Sequence, residues 1–177
     1  VNTKLVSAED LHIACGTDKT LVLDETVWDD IQFAVSTGKV PAVNFPTYDA
    51  FTTNTQEFKF GVDEYIDLQT NEMSHWWKEG TAVYPHIHIA LNGANASGSS
   101  QYVKFTVYIA YADVNEVWTG TPFTAEKEIP TGTADLTHLL VTNGSTALTN
   151  NLIGTQVKVR IKRIAATTGT EYPNDVF

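Results

Sequence analysis

The run from Gln101 to Tyr111 constrains the fold more than any other stretch. Val103, Phe105, Val107 and Ile109 fall on one side of an extended chain, and Tyr102, Lys104, Thr106 and Tyr108 on the other. Such strict alternation marks a strand with one face buried. It recurs from His86 to Leu91, where His86, His88 and Ala90 oppose Ile87, Ile89 and Leu91. Pro85 opens that strand, where a missing N–H does least harm, and Asn92-Gly93 closes it with a turn pair. Tyr65 and Asp67 oppose Ile66 and Leu68 in the same way. Between Thr155 and Ala165, Lys158, Arg160 and Lys162 oppose Val157, Val159 and Ile161, so the basic run ending at Arg163 reads as the solvated side of a strand.

Shorter runs add strands at Lys19–Leu23, Glu57–Phe60, Ala125–Ile129 and Leu139–Leu148. Thr26 to Val35 alternates in part, with Val27, Asp29, Ile31, Phe33 and Val35 together. Ser7 to Asp10 has the form of a capping box and predicts a short helix that Gly16 stops. Ser36 to Asn54, with Gly38, Pro41 and Pro46, reads as one long connection. Asn92 to Ser100 reads as a flexible hairpin loop of small residues, and Glu116 to Pro122 as a turn around Trp118. Thr170 to Phe177 begins a strand pattern that either joins a sheet edge or runs on. Short strands parted by turns predict an all-β, antiparallel, jelly-roll-like sandwich with long loops and terminal arms. Residues 1–20 are expected to form an N-terminal arm and 21–177 a single domain.

Charge narrows the partners. A formal net charge of −10, with only 11 Lys and Arg, leaves no cationic groove for nucleic acid. Cys15 is the single cysteine, so an intrachain disulfide is excluded. The first ten residues lack the apolar centre of a signal peptide, and no run approaches the roughly 20 apolar residues of a membrane span. The expectation is synthesis in a cytoplasm and no membrane partner.

Three histidines, His75, His86 and His88, lie close in sequence and form the one candidate metal set. No carboxylate stands at ligand spacing after His88, and the same rings serve equally well as packed, hydrogen-bonded groups; the expectation is no metal and no cofactor. Ser74-His75 lacks a nucleophile elbow, Cys15 with His12 lacks any supporting motif, and Asp29 and Asp30 point to opposite faces of an extended chain. The chain therefore reads as non-enzymatic. Trp76, Trp77, Lys78, Tyr84 and Trp118 are the candidate binding residues, either as packing at a subunit interface or as aromatic platforms for a glycan. Trp76 and Trp77, as neighbours in an extended segment, are expected to face opposite ways.

Four pieces in fixed order carry a resemblance: Val27-Trp28-Asp29-Asp30, an aromatic hairpin before residue 70, His75-Trp76-Trp77-Lys78-Glu79-Gly80-Thr81, and Pro85-His86-Ile87-His88. In these the chain resembles a group of tailed-bacteriophage virion proteins, over roughly residues 27 to 110. The resemblance implies a small β-rich accessory component of the particle, decorating the capsid or sitting on the tail, with no catalytic residues. It implies as partners copies of itself, as a homotrimer, together with capsid or tail proteins, and a location in the virion. Ile89 departs from the aromatic expected after the histidine pair, and the group's closing strand is not found before Phe177.

Overall fold

The computed structural model describes residues 30–68, 71–73, 82–142 and 154–177, all but Asp30 within the compact unit Ile31–Phe177. Among the described residues nine strands follow in order: β1 (Thr47–Thr52), β2 (Thr55–Lys59), β3 (Tyr65–Asp67), β4 (Asn71–Glu72), β5 (His86–Ala90), β6 (Gln101–Ala112), β7 (Thr119–Ile129), β8 (His138–Thr142) and β9 (Gln156–Ile164). All their pairings are antiparallel. The fold is all-β.

One layer is the sheet β3-β9-β6-β7, with β4 also on β9. Its register sets Val107 between Phe123 and Ile161, and Phe105 between Ala125 and Arg163. Val103, Phe105, Val107, Ile109, Val157 and Ile161 are buried together, as the alternation requires. The same register turns Lys127, opposite Val103, inward on the edge strand β7. A charge facing in at an edge discourages further strand pairing there.

The second layer has two pieces, the hairpin β1-β2 and the ribbon β5-β8. The C-terminal segment joins them. Val176 exchanges both backbone hydrogen bonds with Phe60, at 2.7 and 3.2 Å, and Phe177 does so with Ala90, at 2.8 and 2.9 Å. Phe60, Ile89, Leu91, Val141 and Val176 turn into the core shared with the first layer. Each such apolar side chain contributes about 1.5–3 kcal/mol by leaving water.

Arg163 holds this segment in place. It lies on the core face of β9, where its side chain is 1% exposed. Nη1 donates to the carbonyls of Phe60 (2.8 Å) and Asn174 (2.7 Å), and Nη2 to the Tyr172 carbonyl (2.7 Å) and Glu171 carboxylate (2.7 Å). Only Nε–H lacks a partner among the described residues. Tyr172 is buried next to it and donates its hydroxyl to the Gly93 carbonyl at 2.6 Å; burial pushes that hydroxyl above its ordinary pKa. Gly93 cannot be replaced freely, since its φ is +116° and a Cβ there would stand 2.6 Å from the Asn174 amide nitrogen.

Several expectations need correction. Arg163 is not on the solvated side of its strand; period two places it with Val157, Val159 and Ile161. Ser36 to Asn54 is not one connection, because β1 lies inside it and pairs with β2. Ile31, Phe33 and Val35 do pack on the core, but they lead into a 3-10 turn at Val35–Thr37 and not a strand. Asn92 to Ser100 is no hairpin loop, since β5 pairs with β8 and β6 with β7. Its Asn95 is buried and donates to the carbonyls of Ser99 and Ile129, which ties the loop down. The turn at Trp118 ends earlier than expected: β7 begins at Thr119 and carries Pro122 in its length, which an edge strand tolerates. The expected helix before Gly16, the Lys19–Leu23 strand and the whole N-terminal arm, residues 1–20, lie outside the described residues.

Glu126 caps the loop after β9. The backbone N–H groups of Thr167 and Thr168 donate to it at 2.9 Å each, and the Thr167 hydroxyl at 3.0 Å. Burial pushes its pKa up, but these donors more than reverse the effect and hold it at about 2. A carboxylate held below its unfolded value of about 4.3 stabilises the fold above that pH, and the contribution fades as pH falls towards 2. Glu126→Gln should therefore cost about 1–2 kcal/mol at pH 7. In denaturant melts it should also flatten the loss of stability between pH 4.5 and 2 relative to the unaltered protein.

Candidate functional site

The described candidate residues fall on two separate faces. Tyr84 stands just before β5 in the ribbon, and Trp118 just before β7 in the larger sheet. His75, Trp76, Trp77 and Lys78 lie outside the described residues, so their predicted alternation is not placed.

On the ribbon, Ala90 pairs with His138 and His88 with Leu140. This register brings His138 beside His88 on the exposed face, diagonally across the two strands. His88 Nδ1 and His138 Nε2 are 2.7 Å apart. Their ring centroids are 4.9 Å apart with planes inclined by 12°. With the nitrogens so close, 4.9 Å is nearly the largest centroid separation available. The rings therefore meet end-on, almost coplanar, in a true N–H···N hydrogen bond. His86 follows in the row, edge to face with His88 at 5.1 Å, and its Nδ1 lies 3.2 Å from the Tyr84 carbonyl oxygen. That ring nitrogen must carry the proton to donate there.

The predicted pairing of His86 and His88 on one face is as expected, while the third ring seen with them is His138. A signal for it existed. His138, Leu140 and Thr142 alternate with Leu139 and Val141, but the strand was read as starting one residue later. Two nitrogens bound to one tetrahedral zinc stand about 3.3 Å apart, given Zn–N distances of about 2.0–2.1 Å. At 2.7 Å the pair is a hydrogen bond and not a ligand set. Among the described residues no three His, Cys, Asp or Glu side chains are placed to hold a metal ion.

The outer face of the larger sheet carries a different chemistry. Cross-strand register lines up Asp67, Arg160, Tyr108 and Pro122 in one row, and Lys158, Ala110 and Gly120 in the next. Small residues between larger ones leave a groove of about 850 Å³ lined by Lys39, Asp67, Tyr108, Ala110, Lys158 and Arg160. Arg160 forks onto Asp67 at 2.5 and 2.7 Å, and its guanidinium lies 4.3 Å from the Tyr65 ring centre. The Asp67 carboxylate holds the guanidinium above its ordinary pKa. Lys158 Nζ sits 5.0 Å over the Trp118 ring. Tyr108 and Trp118 remain 45% exposed.

The turn between β6 and β7 exposes apolar side chains among the polar Asp113, Asn115 and Glu116. Val114 is 82% exposed and Val117 88%, beside the half-exposed Trp118. Two of the longest strands hold this tip rigidly. Trp118 is legible in the sequence as a turn aromatic, whereas the two valines are not, because isolated apolar residues in a turn carry no periodic signal.

No family model, no curated protein and no solved structure matches the chain. Among the described residues no helix is long and apolar enough to cross a membrane.

Proposed function

We propose that the chain is a non-enzymatic structural component of a tailed-bacteriophage particle, packing against copies of itself and against the capsid or tail. The observation that carries this reading is the apolar tip of Val114, Val117 and Trp118 on the rigid β6-β7 hairpin. Three exposed apolar side chains within one short turn leave more apolar surface in water than a solvated turn needs, and such surface marks where another protein covers it. The resemblance in Trp28-Asp29-Asp30, in the tryptophan loop and in Pro85-His86-Ile87-His88 supplies the kind of partner. Closed cyclic symmetry is the usual outcome of self-association, and a trimer is the proposed form. The particle is then the chain's location, with head decoration and tail attachment both served by the same interface.

Sedimentation of the purified chain at micromolar concentration should give a trimer, and Val117→Asp should shift it to monomer. That substitution should leave the stability of the isolated chain within about 0.5 kcal/mol, since the side chain touches little of its own fold. A monomer at every concentration, together with unchanged assembly onto particles in the Val117→Asp variant, would contradict the reading.

The outer-face groove favours a second reading, recognition of a glycan. Tyr108 and Trp118 offer exposed rings for sugar stacking, and Lys39 and Lys158 favour an acidic oligosaccharide. Titration with acidic oligosaccharides should then quench tryptophan fluorescence, and Trp118→Ala should abolish the quench. Saturable quenching in a protein that does not self-associate would favour this reading over the first.

A further inference from the structure

The second layer is interrupted. Where Val176 bonds Phe60 on one side and Phe177 bonds Ala90 on the other, β2 and β5 flank a single inserted strand. They therefore stand two strand spacings apart there, about 9.6 Å. Beyond Phe177 lies a slot of about 280 Å³. Phe58 walls it on the β2 side and Ile87 and Ile89 on the β5 side, with Phe105 and Ile161 among the residues that line it more deeply and Phe177 at one end. That volume is many times the roughly 30 Å³ share of a water molecule, and Ser36, Glu57 and His88 add polar groups to its largely apolar lining.

The walls present strand edges as well as apolar side chains. Backbone direction repeats every second residue, so the side of β2 that meets Val176 at Phe60 recurs at Phe58. The side of β5 that meets Phe177 at Ala90 recurs at His88 and His86. The opposite edge of β5 is taken by β8, where Leu91 N–H donates to the Thr137 carbonyl and Leu136 N–H to the Leu91 carbonyl. On the slot side, the Phe58 N–H finds only the neighbouring Glu57 carboxylate, at 3.0 Å. The backbone groups of His86 and His88 on that side have no backbone partner among the described residues.

We propose that this slot is a strand-acceptor site. Its occupant is an extended polypeptide running on in the line of Val176–Phe177, antiparallel to both β2 and β5, with an apolar side chain at every second position. Register fixes the details. Val176 points inward with Phe60 and Leu91, so the second residue after it points inward between Phe58 and Ile89. The second residue after Phe177 bonds the His88 backbone, as Phe177 bonds that of Ala90. A small molecule or a helix offers no repeating row of N–H and C=O groups to two opposed edges; only a strand does. The inference is independent of any role in a virion.

The test is to extend the full chain at Phe177 by Val-Thr-Val-Thr-Val, which places valine inward at the first appended position. A control carries Thr-Val-Thr-Val-Thr, one residue out of phase, and a second carries Gly-Ser-Gly-Ser-Gly. The in-phase extension should raise the melting temperature by about 5 °C or more without changing the oligomeric state. It should also protect the amides of Phe58, His86 and His88 from hydrogen exchange by at least 10-fold, and neither control should do so. Equal protection by both phases, or none by the in-phase strand, would overturn the proposal. Protection seen only in a dimer would overturn the in-line occupant and place the donor strand on a second copy.

Discussion

A guanidinium buried between two sheets holds this molecule together. Arg163 is paid for in solvation by four hydrogen bonds, three of them to carbonyls that belong to different parts of the chain. Phe60 belongs to the end of the β1-β2 hairpin, while Tyr172 and Asn174 belong to the C-terminal segment. Fixing those two segments on one side chain brings Val176 beside Phe60 and Phe177 beside Ala90. The second layer is thus closed by a cation in the first. A neutral side chain of the same length would fill the space but leave those carbonyls without donors, and each buried orphan costs about 1–3 kcal/mol.

The faces left over divide the labour. The ribbon displays a row of imidazoles, the larger sheet displays a groove of aromatic rings and paired charges, and the β6-β7 tip displays bare valine. None of these surfaces is needed for the core, so each is free to be set by what the protein meets. Charges on the outer face are already compensated in part, through Arg160 with Asp67 in the groove and Lys162 with Asp63 outside it. Exposed pairs of this kind contribute little to stability, about 0–1 kcal/mol, and serve better to fix side chains in orientation.

Period two made β6, β9, β3 and β5 legible in the sequence, down to which residues face the core. Pairing was not legible. β5 meets β8 across some fifty residues of sequence, and nothing local distinguishes that from a hairpin with β6. β1 was hidden because no residue on either of its faces is fully buried, so its sequence shows no apolar alternation. Arg163 was masked by its neighbours: Lys158, Arg160 and Lys162 made the run look basic and solvated, although counting in twos from Val157 already puts Arg163 inside. Two members of the histidine row, His86 and His88, were visible. Its third member, His138, required the long-range register that only the fold supplies.

Amide hydrogen exchange in Arg163→Met tests the dependence on that buried cation most directly. If Arg163 closes the second layer, protection should fall together at Phe60, Ala90, Val176 and Phe177, while the β6-β7 amides between Val103 and Ile129 keep theirs. The local stability that these four amides report should drop by about 3–5 kcal/mol, as for other buried pairs that lose one partner. Unchanged protection at Val176 and Phe177, or a uniform loss across both layers, would contradict the account.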